Sequence, residues 1–124
     1  MAAREDLMDW VVEALEALNG SGTLLEVAKK IWEIPKLGTI NVHASLLPNL
    51  RGAAPINWAL INGLKETGLT SFFINEKIDS GDIILQEKLA IYEHDNFESL
   101  YKKLKKMSNE FLTKTIELIF EDNI

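Results

Sequence analysis

The 124-residue chain contains no cysteine. That rules out a disulfide framework and a thiolate metal site, and it fits a reducing compartment, so a cytoplasmic location is expected. No uninterrupted apolar run approaches the length needed to cross a bilayer, and Met1 to Asp6 is not followed by the apolar core of a signal peptide. Positive charge is also short: 13 Lys and Arg stand against 19 Asp and Glu, a net charge of −6. A phosphate-binding clamp needs clustered cations, so the chain as a whole is not expected to bind nucleic acid. Lys102, Lys103, Lys105 and Lys106 do crowd one segment, but a solvated helix face accounts for them more simply. There is no internal repeat and no low-complexity tract. What remains is ordinary for one globular domain with a single core, at 47% apolar and 26% charged residues.

Leu7, Val11, Ala14, Leu15 and Leu18 recur at helical spacing, which predicts an amphipathic helix over residues 4–18. Asn19-Gly20-Ser21-Gly22 breaks it. Thr23-Leu24-Leu25-Glu26 is a capping box that opens a second helix, with Leu24, Val27, Ala28 and Ile31 inward and an end before Pro35. Two short helices joined by a Gly-containing turn form an αα-hairpin. Beyond it the texture changes. Thr39 to Val42 reads as a short strand, and His43 to Gly52 as a loop. Ala54 to Asn62 reads as a helix with Pro55 in its first turn and Gly63 past its end. Leu69–Ile74 and Ile83–Ile91 read as strands joined by eight residues. That is too short for a helical crossover, so the two strands should pair antiparallel. Asp95 to Glu98 resembles a second capping box, followed by a helix to about Phe120 with a stripe of Leu100, Leu104, Met107, Phe111 and Leu118. The fold class is therefore α/β or α+β, with about three strands.

Three residues stand out chemically. Asn41 interrupts an apolar strand, where Asn is disfavoured. His43, two residues on, shares its face by strand alternation. Asp79 lies in the loop Ile78-Asp79-Ser80-Gly81-Asp82. An amide that can stabilise an oxyanion, an imidazole that can move a proton and a carboxylate that can orient the imidazole suit acyl transfer. Taken singly, each is also an ordinary surface, core or turn residue.

The longer strings narrow the choice. Gly38 to Pro48 (GTINVHASLLP), Arg51 to Trp58 (RGAAPINW), Glu66-Thr67-Gly68 and Ile78 to Ile84 (IDSGDII) together resemble the signature of methionyl-tRNA formyltransferases over about two-thirds of the chain. The resemblance implies the C-terminal half of a Rossmann-like catalytic domain over residues 34–124, preceded by the hairpin at 1–33. It places the family's catalytic residues on Asn41, His43 and Asp79, and the folate ring beside Ser45, Leu46, Leu47 and Pro48, with no metal. The implied reaction moves a formyl group from 10-formyltetrahydrofolate to the amino group of methionyl-tRNA.

Such enzymes carry further Rossmann strands before the position of Gly38 and a barrel-like domain after that of Phe120. Residues 1–33 instead resemble the opening helices of a helix-turn-helix module, without a recognition helix to follow. The chain is accordingly expected to be a chimeric or truncated fragment, inactive as it stands. No cofactor, nucleic acid or membrane is expected to bind it, although the parent family binds initiator methionyl-tRNA. The strand at 39–42 has no Pro or Lys to blunt its edge, so a homo-oligomer is expected. The alternative reading is an interaction or nucleic-acid-binding module built on the hairpin.

Overall fold

A computed structural model describes residues 4–121. In chain order the elements are α1 (Arg4–Ala17), α2 (Leu24–Ile31), β1 (Ile40–His43), α3 (Pro55–Ile61), β2 (Glu66–Phe73), β3 (Ile83–Ala90) and α4 (Phe97–Phe120). The chain falls into two units that divide between Thr39 and Ile40.

In the first unit α1 and α2 pack on each other. The turn between them follows from residues that tolerate left-handed backbone. Asn19 has φ 61°, and the amides of Asn19 and Gly20 bond back to the carbonyls of Glu16 (3.1 Å) and Leu15 (2.7 Å). That reciprocal pair is a Schellman closure, which satisfies carbonyls the helix end would otherwise leave bare. The capping box of α2 is present: the Glu26 amide donates to Thr23 Oγ1 at 3.2 Å, and the Thr23 amide donates to Glu26 Oε2 at 2.6 Å. Ala14 is buried and Val11, Leu15, Leu18, Val27 and Ile31 are half-buried, while Ala28, expected inward, is exposed. The expected inward roles of Leu7 and Leu24 fall on side chains outside the described residues. Downstream of α2, the Thr39 hydroxyl donates to the Trp32 carbonyl at 2.7 Å.

The second unit is a three-stranded antiparallel sheet in the order β1-β2-β3. Both β2 and β3 pack on α4, and α3 packs on α4 as well. Residues 67–72 of the central strand β2 are all buried, as expected of a strand covered on both faces. Its odd residues face α4. Leu69 joins Ile56, Leu100, Leu104 and Phe111 in the core, and Val42, Leu85, Leu89 and Met107 pack against that cluster. Burying a side chain such as Phe111 stabilises by about 1.5–3 kcal/mol. Ser71 Oγ accepts the hydroxyl of Thr115 at 2.9 Å, so α4 presents one buried threonine where its stripe was expected to be wholly apolar. Leu118 is only half-buried.

Several boundaries differ from the sequence expectation; β1 runs from Ile40 to His43 rather than from Thr39 to Val42, so His43 belongs to the strand and not to the loop. β2 begins at Glu66 rather than Leu69, because its ladder with β3 runs on to Glu66 opposite Ala90. The cap of α4 is Asn96 paired with Ser99, one residue later than Asp95 with Glu98. Asp95 instead accepts the Tyr92 amide (2.8 Å), the Ser99 hydroxyl (2.8 Å) and the Lys103 ammonium (2.8 Å). Lys103 also lies 5.0 Å from the Tyr92 ring centroid, and Lys102 pairs with Glu98 at 3.0 Å. Two of the four crowded lysines are thus matched by acidic partners. No helix among the described residues is long and apolar enough to cross a membrane.

Candidate active site

The sheet face turned away from α4 carries the residues singled out for chemistry. In the β1–β2 ladder, Asn41 lies opposite Phe72 and His43 opposite Thr70, while Val42, between them, packs into the core. Strand alternation therefore puts Asn41 and His43 on the same face as Thr70. His43 is 9% exposed, whereas Asn41 is exposed and its side-chain amide bonds to no described residue.

After His43 the chain folds back over this face, its path fixed by hydrogen bonds together with the burial of Leu47. Thr70 Oγ1 donates to the Ser45 carbonyl at 2.6 Å and accepts the Leu47 amide at 3.1 Å. Gln86, opposite Thr70 on β3, donates through Nε2 to the Leu47 carbonyl at 2.7 Å and to Thr70 Oγ1 at 3.0 Å. Ser45 is fully buried and its hydroxyl donates to the Asn49 carbonyl at 2.7 Å. Leu46 lies over Gly68: a Cβ at that glycine would stand 2.7 Å from Leu46 Cδ2 and collide with the Glu87 carbonyl. Of the four residues expected beside the folate ring, Ser45 and Leu47 are thus buried within the loop's own structure. Leu46 is half-buried and Pro48 is exposed.

Asp79 comes from the loop between β2 and β3. That loop passes so close to β2 that a Cβ at Gly81 would collide with the Phe73 carbonyl, which is why a glycine stands there. Asp79 itself has φ 47°, a strained conformation for a residue with a side chain. Its Oδ2 lies 3.7 Å from His43 Nδ1 and accepts the Gly52 amide at 2.7 Å. The other ring nitrogen, His43 Nε2, lies 2.9 Å from the Leu50 carbonyl. A carbonyl can only accept, so Nε2 must carry a proton. The neutral ring is therefore the Nε2–H tautomer, and proton traffic between ring and carboxylate runs through Nδ1. Arg51, exposed, donates through Nε to the Asp79 carbonyl at 2.9 Å.

The structure thus brings His43 and Asp79 together, with Asn41 two residues away on the same strand face. Sequence reasoning passed over the groups that hold them, namely the Leu50 carbonyl, the Gly52 amide, Thr70 and Gln86. Two of these are backbone atoms with no side-chain signature. The other two are polar residues on a strand, whose burial the sequence does not announce. Among the described residues no group of three His, Asp or Glu side chains is placed to hold a metal ion.

Comparison with known proteins identifies the family. The family model described as formyl transferase matches residues 15–116. A methionyl-tRNA formyltransferase from Flavobacterium psychrophilum is 45% identical over 115 residues, covering 90% of this chain and 36% of that protein. The chain therefore spans about a third of the length of the curated relatives it matches. Among solved structures, glycinamide ribonucleotide transformylase 1 from Symbiobacterium toebii superposes with a TM-score of 0.74 at 27% identity, covering 97% of this chain and 59% of that one. The formyltransferase PseJ from Anoxybacillus kamchatkensis, solved with tetrahydrofolate and a UDP-linked formamido sugar, gives 0.65 at 31% identity over 73% of this chain and 48% of that one. The chain belongs to the formyl transferase family.

Proposed function

We propose that residues 34–124 carry the catalytic-loop half of a methionyl-tRNA formyltransferase site, with Asn41, His43 and Asp79 as its chemical residues. The observation that carries this reading is the placement of His43 Nδ1 3.7 Å from Asp79 Oδ2, beside an exposed Asn41 amide. The donor set suits a folate-derived formyl donor, which when bound supplies the formyl carbonyl. Leu46 and Pro48 would border it, since Ser45 and Leu47 are committed to the loop's interior. The Asn41 amide is a donor for a carbonyl oxygen as negative charge develops there. His43 takes or gives a proton through Nδ1, and the Asp79 carboxylate, 3.7 Å from that nitrogen, orients the ring. The acceptor would be the α-amino group of methionyl-tRNA, the substrate named for the relatives.

Assayed alone, the 124-residue chain is expected to show no measurable transfer. Asn41 stands in solvent, and the His43–Asp79 separation exceeds a hydrogen bond, so the preorganisation that accelerates such a step is incomplete. The test is formylation of methionyl-tRNA by the purified chain and by His43→Ala. Transfer that vanishes in His43→Ala would uphold the site and overturn the inactivity. Transfer that survives in His43→Ala would overturn the residue assignment.

One more property supports self-association. The Phe73 amide bonds toward β3, to the Asp82 carbonyl at 2.9 Å, so alternation turns Phe72 and its partner Asn41 toward each other. Ile40 and Val42 then present their amides and carbonyls on the outer edge of β1, where no strand among the described residues pairs with them. Such an edge is a template for a second copy. Sedimentation at tens of micromolar is expected to show a dimer or larger species, and a monomer there would remove this part of the proposal.

A further inference from the structure

Three consecutive residues hold the candidate pair from one side. The Leu50 carbonyl fixes the proton on His43 Nε2, Arg51 Nε bonds the Asp79 carbonyl, and the Gly52 amide bonds Asp79 Oδ2, the same oxygen that faces His43 Nδ1. The first and third contacts come from backbone and depend only on where the turn lies. Left to itself this turn would not be stiff: Leu50, Gly52 and Ala54 have φ of 57°, 87° and 55°, a run of left-handed conformations that costs energy at the two non-glycine positions. Asp79, at φ 47°, is strained in the same sense. Of the two links between the turn and Asp79, the Arg51 bond is the one made by a side chain of the turn, the other joining the Gly52 amide to the Asp79 carboxylate.

We propose that Arg51 is a positioning residue for the His43–Asp79 pair: its Nε bond to the Asp79 carbonyl latches the Leu50–Gly52 turn to the Asp79 loop. The latch keeps Leu50 on one nitrogen of the ring and Gly52 on the carboxylate that faces the other. This rests on the reading of His43 and Asp79 as the chemical pair, but it concerns their geometry, which can be measured without any reaction. Arg51 is exposed, so removing its side chain leaves the core untouched. Its effect should appear in the ring and the turn rather than in global stability.

The chain has two histidines, so the imidazole nitrogen resonances of His43 can be assigned by comparison with a His94→Ala variant. In the unaltered chain with the ring neutral, His43 is expected to show one tautomer, protonated at Nε2. In Arg51→Ala the two nitrogen shifts should move toward each other as tautomers mix, and Arg51→Lys, which restores a single donor, should recover most of the difference. As a second readout, exchange of the Gly52 amide should quicken about tenfold in Arg51→Ala, the effect of losing one ordinary hydrogen bond, while amides of β2 keep their protection. Unchanged ring shifts together with an unchanged Gly52 amide would overturn the proposal. General loss of amide protection across β2 would also overturn it, by showing that Arg51 acts on the fold and not on the pair. Since no substrate is present, failure here would leave the formyl-transfer reading standing, and failure of transfer would leave this result standing.

Discussion

The two faces of β2 are held by the same forces in different proportion: α4 adds one hydrogen bond, from Thr115 to Ser71, and the opposite face buries Phe72. Toward α4, Leu69 packs among Leu100, Leu104 and Phe111, a cluster joined by dispersion and by exclusion of water. Toward the loop after His43, Gly68 admits Leu46, and Thr70 Oγ1 takes part in three hydrogen bonds, to Ser45, Leu47 and Gln86. An apolar contact tolerates small displacements, because its energy scales with area. A hydrogen bond has direction, and a buried partner left unmatched is penalised. The α4 face therefore supplies stability, and the loop face supplies position. The residues proposed for chemistry lie on the face where position is specified.

Substitutions can break this contrast at either face. The largest effect is expected at the α4 face: Phe111→Ala, at a fully buried side chain, should cost about 3–5 kcal/mol, read by urea unfolding. A loss below about 1 kcal/mol would mean that α4 does not anchor the sheet. Next comes Thr70→Val, which keeps the shape and removes the hydroxyl. It should cost about 1–3 kcal/mol, because the Ser45 carbonyl and the Leu47 amide lose their partner. Its signature should be local, with faster exchange at the Leu47 amide and little change for amides of α4. A neutral Thr70→Val would show that the loop is held by packing after all, and the two faces would no longer differ.

The smallest effect sharpens the comparison at the start of α4. Hydrogen bonding from the Lys103 ammonium, and then from the Tyr92 amide and the Ser99 hydroxyl, holds the Asp95 carboxyl well below the usual aspartate range. A folded-state value depressed in this way contributes stability that is present above the unfolded value of about 3.9 and is lost as pH falls toward the folded one. The stability difference between the unaltered chain and Asp95→Asn should therefore be constant from neutral pH down to about pH 5 and shrink only in stronger acid. A difference that already falls away between pH 7 and pH 5 would assign the effect to another group.

Much of the fold was legible because local rules and tertiary packing agree. The periodicity of residues 4–18, the Thr23–Glu26 box and Pro55 in the first turn of α3 each specify a helix end that the structure keeps. The short loop read between the two strands left the antiparallel hairpin as its simplest outcome. Legibility failed where the ladder overrides propensity, as at Glu66 and Gly68, poor strand formers that flank Thr67 and are held extended by β3. It also failed at Thr115, where burial depends on a hydroxyl of Ser71 that lies 44 residues earlier. Asn41, His43 and Asp79 could be picked out by residue type and motif. Their approach could not, because it depends on β1 pairing with β2 and on a turn whose contacts are made largely by backbone atoms.

If Asn41, His43 and Asp79 form the proposed site, a formyl donor docks on the loop face of β2. Titration of the chain with tetrahydrofolate at millimolar concentration, followed by backbone and imidazole chemical shifts, tests this most directly. Where the sequence alone leads to no bound cofactor, the exposed Asn41 amide beside the His43–Asp79 pair predicts weak, saturable perturbation confined to Asn41, His43, Leu46, Pro48 and the Asp79 loop, with α4 unmoved. Perturbations centred on the cavity lined by Leu60, Leu64, Ile91 and Tyr92, near the other end of the β2–β3 hairpin, would contradict it, as would none at all.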